Sequence, residues 1–399
     1  MAGPYSRRRA GGEQPQGGAD SAAAFRGDRY RRGEFRLGRR PPGREGPNGL
    51  AGLPWRRTAF SSRGVDPLTH SLLGASLGYA AFGRRLGRTA AGVGGLAAFV
   101  PDADIFIRSA ADPLLAIEYH RHFTHSLLFA PVGAAVVASF WLIRPRWRDH
   151  FAALWVCALV AYFSHALLDA ATSYGTQLLW PVSNHRFDFD VIAIVDPPFT
   201  LVLGLGLGWS LRSKRLRIAT IALALAAGYL GLGALQHERA LAAQQRLAAS
   251  RGHAPQRAEA MPTLANNIVW RALYVHAGQI YSDRIRVGWF SAPTVREGWA
   301  LPLVEERDLT TAERTRSAVQ RSFPRFQWFS EGWVARSPND PTVLGDMRYS
   351  LSTEAFDPIW GIRFTPPGAP TPVIWVNRSR DREIRLGELW REIAGRDER

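Results

Sequence analysis

The sequence predicts a mainly α fold, in which a polytopic helical membrane domain of about six segments precedes a small soluble α+β domain. Long apolar runs fill residues 65–235, although hydrophobic residues make up only 46% of the 399-residue chain because its two ends are polar. After residue 236 a charged stretch, His237–Arg251, is predicted to be helical. It leads into short runs of β-branched and aromatic residues, a pattern typical of strands, which include Phe326–Val334, Gly361–Thr365 and Pro372–Val376. The chain therefore divides into three predicted parts, 1–64, 65–235 and 236–399.

Residues 1–64 are expected to form a disordered basic tail, because they are rich in Gly, Pro and Arg and lack apolar periodicity. They hold 14 Arg against 5 acidic residues, which accounts for +9 of the formal net charge of +16. The stretch that begins at Val65 reads like a natural protein start, and a valine codon can serve as initiator. We therefore expect translation to begin at Val65, with the tail upstream of the true start.

Six apolar runs supply the predicted membrane segments. The first two are shorter than the roughly 20 residues that a spanning helix needs, so a tight hairpin or a tilted pair is expected there. Frequent Gly and Ala in the runs are typical of helices that approach closely in lipid. The runs are Leu68–Gly83, Thr89–Val100, Ser126–Ile143, Phe151–Thr172, Val191–Leu211 and Leu216–Leu235.

Loop charges predict the orientation of these segments. The turns at 84–88, 144–150 and 212–217 carry ten Lys or Arg, whereas the loops 101–125 and 173–190 carry three. The positive-inside rule places the basic turns in the cytoplasm, and the other loops together with residues 236–399 outside. The predicted location is the bacterial inner membrane, with several passes and an extracytoplasmic C-terminal domain. Because the basic charge falls in a tail and short loops, nucleic acid is not the expected partner.

Imidazoles and carboxylates cluster at the ends of these apolar runs, and on the predicted topology they share the outer face. His165 and Asp169 are four residues apart and so lie on one helix face, where ionisable residues inside a membrane segment are costly and usually functional. Imidazole with carboxylate and without thiolate suits Zn²⁺ first, with Mn²⁺ or Fe²⁺ as alternatives. The predicted metal ligands are His70, Asp102, Asp104, His120, His125, His165 and Asp169.

Each of these groups also has a structural explanation. The pair formed by His165 and Asp169 can be a hydrogen-bonded packing contact, and His125 with Ser126 can cap a helix. A lone His70 beside an apolar face is commonly satisfied by local hydrogen bonds. Three further acids flank a predicted segment and can be ordinary interfacial charges: Asp188, Asp190 and Asp196.

Four motifs in residues 65–235 resemble the YdjM-like family. They are Asp66-Pro67-Leu68-Thr69-His70, Pro101-Asp102-Ala103-Asp104, His120-Arg121-x-x-Thr124-His125-Ser126 and Ser164-His165-x-x-x-Asp169. The resemblance implies a membrane-bound, metal-dependent hydrolase of a family also described as LexA-binding and inner-membrane-associated. The sequence departs from the family at His122, where the family commonly has Gly. More distantly, the family is similar to zinc-dependent phospholipase C and the S1/P1 nucleases, an analogy for phosphodiester chemistry.

The leading functional prediction is hydrolysis of a phosphoester or lipid-type envelope substrate through a metal-activated water. Arg121 and Thr124 are the predicted catalytic residues, with Arg121 and also Arg186 able to hold an anionic oxygen. The expected partners are membrane lipids and a small-molecule or lipid substrate. One alternative is a non-enzymatic scaffold or regulatory partner with a structural metal site, and another is a transporter that uses the histidine–aspartate pair.

Overall fold

The computed structural model of the protein describes residues 67–350, 356–378 and 386–396. The predicted disordered tail 1–64 and the expected start at Val65 lie outside the described residues. Helices make up the first part of the described chain, and two antiparallel sheets with three helices make up the second.

Seven α-helices and three short 3₁₀ helices lie within residues 67–250. The 3₁₀ helices connect the α-helices and carry several of the polar motifs. In chain order, the elements are α1 (Pro67–Leu86), α2 (Thr89–Ala97), the 3₁₀ helix Val100–Phe106, α3 (Leu115–Tyr119), the 3₁₀ helix Phe123–His125, α4 (Ala130–Trp141), the 3₁₀ helix Pro145–His150, α5 (Phe151–Ala170), α6 (Pro197–Ser213) and α7 (Leu216–Ser250).

The prediction of about six membrane segments is wrong for the residues that the structure describes. Two helical stretches, Pro145–Ala170 and Leu216–Ser250, are long and apolar enough to cross a membrane. A third span results only if Leu115–His125 and Ala130–Trp141, which meet at a 77° bend, count as one.

Helix length explains the difference for α2, α4 and α6, whereas α1 has 20 residues. α2 has 9 residues, α4 has 12 and α6 has 17. At 1.5 Å per residue these lengths are about 14, 18 and 26 Å, below the roughly 30 Å of a hydrocarbon core. The apolar run Val191–Leu211 becomes helical only at Pro197, where Asp196 caps the helix by accepting a hydrogen bond from the Phe199 N–H.

Small residues let α1 and α2 pack backbone against backbone. A Cβ at Gly74 would lie 2.4 Å from the Gly94 carbonyl oxygen, and a Cβ at Gly94 would lie 2.1 Å from the Gly74 carbonyl oxygen. The hairpin packs on α5, where Ala158 and Ala161 are fully buried. This close approach fixes the position of the chain that leaves α2 and carries the first two aspartates of the site.

Helix α7 continues far beyond its apolar half. The predicted segment Leu216–Leu235 and the predicted helix His237–Arg251 form one uninterrupted helix of 35 residues. In the second half Ala240 and Ala243 are buried against Ala260 and Trp270 of the first sheet. The same helix therefore contains a stretch long and apolar enough to cross a membrane and also forms part of the core of the C-terminal region.

The C-terminal region contains two four-stranded sheets, and in each of them neighbouring strands in sequence are paired antiparallel. Helices lie between and after the sheets. The strands of the first sheet are β1 (Arg257–Pro262), β2 (Val269–His276), β3 (Gln279–Arg286) and β4 (Thr294–Pro302), and those of the second are β5 (Val334–Arg336), β6 (Val343–Asp346), β7 (Trp360–Phe364) and β8 (Val373–Asn377); the helices are α8 (Thr311–Arg314), α9 (Ser317–Phe329) and α10 (Leu386–Ile393).

The predicted strands Gly361–Thr365 and Pro372–Val376 are confirmed as β7 and β8 within one residue at each end. The predicted strand Phe326–Val334 is wrong, because its first four residues complete α9. Val319 and Phe323 are fully buried one helical turn apart, which is the spacing of an amphipathic helix.

The second sheet and α9 pack on two segments of the helical region, one between the first 3₁₀ helix and α4 and the other directly after α5. Arg325 of α9 donates to the carboxylate of Asp112, at 2.8 Å and 3.0 Å, and also pairs with Glu118. The Tyr349 hydroxyl donates to the Ser173 carbonyl oxygen at 2.6 Å. The C-terminal region is thus attached directly to the segments that carry His120 and Arg121 of the predicted site.

Replacing Gly94 with Ala should destabilise the protein, because the new Cβ would lie 2.1 Å from a backbone oxygen that cannot move away cheaply. Overpacking of this kind costs about 1–3 kcal/mol, which a lower midpoint of thermal unfolding in detergent will show. Gly92→Ala in the same helix is the control, since its Cβ would meet its nearest neighbour at 3.6 Å. Equal midpoints for the two variants would contradict the packing argument.

Candidate metal centre

Helix α5 presents His165 and Asp169 on one face near its C-terminal end, and both side chains are fully buried. The His165 Nδ1–H donates to the Ala98 carbonyl oxygen at 2.7 Å, just after α2. That hydrogen bond fixes the tautomer, so the lone pair of Nε2 points into the site. Orientation of a ligating histidine by a hydrogen bond from its other nitrogen is the usual arrangement at metal centres.

His125 supplies a second imidazole from the 3₁₀ helix that precedes α4. Its Nε2 lies 2.9 Å from His165 Nε2 and 3.0 Å from an Asp169 carboxylate oxygen. On the other side of the ring, Nδ1 lies 3.0 Å from the Thr124 hydroxyl and 3.4 Å from Asp104. Two ring nitrogens that face each other this closely need a proton or a cation between them.

Asp102 completes a group of four potential ligands with His125, His165 and Asp169. The four ligand atoms lie within 4.8 Å of one another. The Asp102 carboxylate is buried, and neither of its oxygens has a hydrogen-bond partner among the described residues. Burying an unpaired carboxylate is costly, which indicates that another positive group belongs there.

The spacing of these atoms fits a divalent cation. Four ligands at zinc distances of 2.0–2.1 Å in a tetrahedron are separated from one another by about 3.4 Å. The contacts of His125 and His165 with each other and with the two aspartates range from 2.9 to 3.8 Å. Imidazole and carboxylate donors suit Zn²⁺, Mn²⁺ and Fe²⁺.

The remaining oxygen of Asp169 contacts two further predicted residues. His70 Nε2 lies 3.2 Å from it, and Arg121 Nη2 lies 2.8 Å from it. Arg121 is 1% exposed, and its Nη1 also donates to the Thr172 hydroxyl and to the Asp169 carbonyl oxygen. In this geometry Arg121 neutralises and orients Asp169.

Asp104 and His120 form a second contact beside the group of four. His120 Nδ1 lies 3.0 Å from one Asp104 oxygen, and the Arg121 backbone N–H donates to the other at 2.7 Å. Burial alone would raise the pKa of Asp104, but the charges of His120 and His125 and the backbone hydrogen bond lower it below its ordinary value. Asp104 is therefore ionised at neutral pH and holds His125 through Nδ1.

Several other residues suggested by the sequence lie outside the cluster. His122 packs its ring on Trp180, with the ring centroids 5.0 Å apart. Arg186 is buried and donates to the carbonyl oxygens of Tyr174, Gly175 and Phe329. Asp196 caps α6 and accepts a hydrogen bond from the Tyr229 hydroxyl, whereas Asp188 and Asp190 lie in the loop before it.

Sequence reasoning gave no role to Tyr174 or to the carbonyl of Ala98. The Arg121 guanidinium stacks 4.9 Å from the centre of the Tyr174 ring, and that ring also contacts Phe329 and Trp360 of the C-terminal region. A backbone carbonyl leaves no signal in a sequence. Tyr174 stands close to the predicted ligands along the chain, but only the fold shows that it carries the contact between the two regions.

A small cavity of about 20 Å³ adjoins the site on the side of His70 and Arg121. Thr172, Ile192 and Phe199 also line it. A volume of this size is enough for one water molecule. The four ligand groups do not line the cavity, so a small polar reactant there would contact His70 and Arg121, the two basic neighbours of Asp169.

Comparisons with known proteins agree with the motifs of the site. Residues 65–240 match the model of the family described as YdjM inner membrane protein. They are YdjM-like. The chain is also 36% identical over 107 residues to the inner membrane protein YbcI of Escherichia coli strain K12, a match that covers 26% of this chain and 60% of that protein. No solved structure matches the chain significantly.

The matched region contains all seven predicted ligands, the helical stretch Pro145–Ala170 and the apolar first part of α7, up to residue 240. Both matched names describe inner membrane proteins, which together with these helices supports an inner-membrane location. Since the match spans 60% of YbcI, any activity of this chain is a separate proposal.

The detergent-purified protein should carry at least one divalent ion per chain, measured by inductively coupled plasma mass spectrometry. The double variant His165→Ala, Asp169→Ala should lose it, because it removes two of the four ligand groups. His150→Ala is the control, since this histidine precedes α5 at the opposite end from His165. A wild-type protein without stoichiometric metal, or a double variant that keeps it, would refute the site.

Replacing Thr124 with Val should weaken metal binding by about 10–100-fold, the usual effect of removing a group that orients a ligand. The variant loses the hydroxyl that lies 3.0 Å from His125 Nδ1. Competition with a chelator of known affinity measures the change. Thr220→Val, on the exposed surface of α7, should leave affinity unaltered, and equal affinities for the two variants would remove Thr124 from the site.

Proposed function

We propose that the protein is a membrane-bound, metal-dependent hydrolase that acts on a phosphoester or lipid-type envelope substrate. The observation that carries the proposal is the group of two imidazoles and two carboxylates, whose ligand atoms converge in the interior with both Asp102 oxygens unpaired. A bound divalent cation would supply Lewis acidity and lower the pKa of a water molecule there.

Each residue in and around the group of four would have its own role. His125, His165, Asp102 and Asp169 hold the ion, while Asp104 and Thr124 fix the ring of His125. Arg121 keeps Asp169 ionised and correctly turned through a contact of 2.8 Å. His70, on the cavity side of Asp169, is placed to hold a reactant or to accept a proton from it. His120 contacts Asp104 and so helps to hold the carboxylate that fixes His125.

The position of the site favours a substrate that reaches it from the membrane. Asp169 lies next to the last residue of α5, whose apolar stretch is long enough to cross a bilayer. Leu167, two residues earlier, is 50% exposed, and Val160 on the same helix is 36% exposed. A lipid or lipid-linked molecule could approach along this apolar face. We propose that the site and the C-terminal region share the extracytoplasmic side, which the loop charges predict and which requires the 17-residue helix α6 to cross the membrane back between α5 and α7.

A scaffold or regulatory protein with a structural metal is the second candidate, and burial favours it. His125, His165 and Asp169 have no exposed surface, and Asp102 is only 5% exposed. Structural metal sites are closed in this way, whereas catalytic sites keep one coordination position for water or substrate. The neighbouring cavity, which has room for one water, favours the hydrolase.

Hydrolysis is tested with the full chain in detergent and in lipid vesicles, loaded with Zn²⁺ or Mn²⁺ in turn. The substrates are a chromogenic phosphodiester and glycerophospholipids, with release of the alcohol or headgroup as the measured quantity. The hydrolase proposal predicts turnover that falls at least 1000-fold in His125→Ala, because loss of a metal ligand removes the activated water. His150→Ala should retain wild-type turnover.

The outcomes separate the two candidates. A protein that binds metal stoichiometrically, unfolds at a lower temperature after chelation and hydrolyses none of these substrates is the scaffold. Turnover that survives in His125→Ala would assign the activity to a contaminant and overturn the hydrolase proposal.

A further inference from the structure

The connection between β3 and β4 exposes two aromatic side chains at its tip. Trp289 is 52% exposed and Phe290 is 100% exposed, the highest value of any large apolar side chain in the described residues. Leaving a Phe side chain fully in water is unfavourable compared with burying it. Two adjacent exposed aromatic residues at a loop tip are therefore a candidate contact surface.

Specific hydrogen bonds hold this loop in place. Arg239 of α7 donates to the carbonyl oxygens of Gly288 at 2.9 Å and Ser291 at 2.7 Å. The Trp289 indole N–H donates to the Asn267 side-chain oxygen at 3.2 Å. The loop is thus tied to one point of α7, and its apolar tip is presented beside that helix.

That point is where the surface of α7 changes from apolar to charged. Leu225 and Leu235 are 60% and 58% exposed. The next exposed side chain after Leu235 is the charged Glu238. From Arg217 to His237 the helix rises about 30 Å, the thickness of a hydrocarbon core. Arg239, which holds the loop, therefore lies at the boundary between lipid and water.

Other contacts place the same end of the first sheet against the membrane helices. The loop between β1 and β2 also lies at this end, and its Ala265 N–H donates to the Val195 carbonyl oxygen at 3.0 Å. Val195 precedes α6, which begins at Pro197. The opposite end of the β2–β3 hairpin is the turn at Ala277 and Gly278, about 26 Å away along an eight-residue strand.

We propose that Trp289 and Phe290 insert into the headgroup region of the bilayer that α7 crosses, and so anchor the first sheet to the membrane surface. Trp side chains, which combine an apolar ring with one polar N–H, prefer this depth, and the fully exposed Phe290 ring adds apolar surface beside Trp289. The lipid-facing surface of α7 runs up to the loop, so the occupant that continues this surface is lipid. Arg239 satisfies the loop carbonyls that water would otherwise have to reach.

The test uses the full chain in phosphatidylcholine–phosphatidylglycerol vesicles. Phe290→Cys in a Cys157→Ala background carries an environment-sensitive fluorophore, with or without lipids that bear a nitroxide near the headgroup. We expect blue-shifted emission and at least twofold quenching by the nitroxide. The matched control is Ala277→Cys in the same background, an exposed position at the far end of the same hairpin, which should emit as in water and stay unquenched.

Three results would overturn the proposal. Water-like, unquenched emission at position 290 would show that the tip does not reach the bilayer. Blue-shifted emission without quenching would place the tip against protein, such as a second copy of the chain. Equal quenching at positions 290 and 277 would show unspecific adsorption of the sheet.

Discussion

Two buried carboxylates, Asp102 and Asp169, set the constraint on which the arrangement of the helical region depends. Each would cost several kcal/mol if left without a counter-charge in the interior. Arg121 provides a counter-charge only for Asp169. To reach it, the Arg121 backbone adopts a φ of 59°, in the left-handed region that non-glycine residues rarely adopt. Three elements keep these charges beside the imidazoles: the hairpin of α1 and α2, the 3₁₀ helix with Asp102, and the end of α5.

The C-terminal region is part of the same electrostatic arrangement. Tyr174 lies between Arg121 of the site and the aromatic core around Phe329, and the buried Arg186 ties the loop of Tyr174 to that core. Burial, together with the nearby charge of Glu331, raises the pKa of Asp188 in this loop to about 9. The carboxyl is therefore neutral at pH 7, and the junction avoids a further buried negative charge.

The sequence predicts the components of the site better than their arrangement. The spacing of His165 and Asp169 follows from helical periodicity, and the residues around His125 stand out by composition. The bond from His165 to the Ala98 carbonyl and the pairing of Arg121 with Asp169 depend on tertiary packing, which no local pattern encodes. The number of spans was overestimated because an apolar run such as Val191–Leu211 does not show where its helix begins. Aromatic residues suit strands and helices alike, so α9 was mistaken in part for a strand.

The unbroken helix α7 has a mechanical consequence. About 20 of its 35 residues suffice to cross a bilayer, which leaves about 15 as a rigid arm, roughly 22 Å long, on which the first sheet is built. A thinner bilayer increases the tilt of such a helix. Because the arm cannot bend independently of the span, every degree of tilt swings the sheet by the same angle. The thickness of the surrounding lipid thereby sets the angle between the first sheet and the membrane surface.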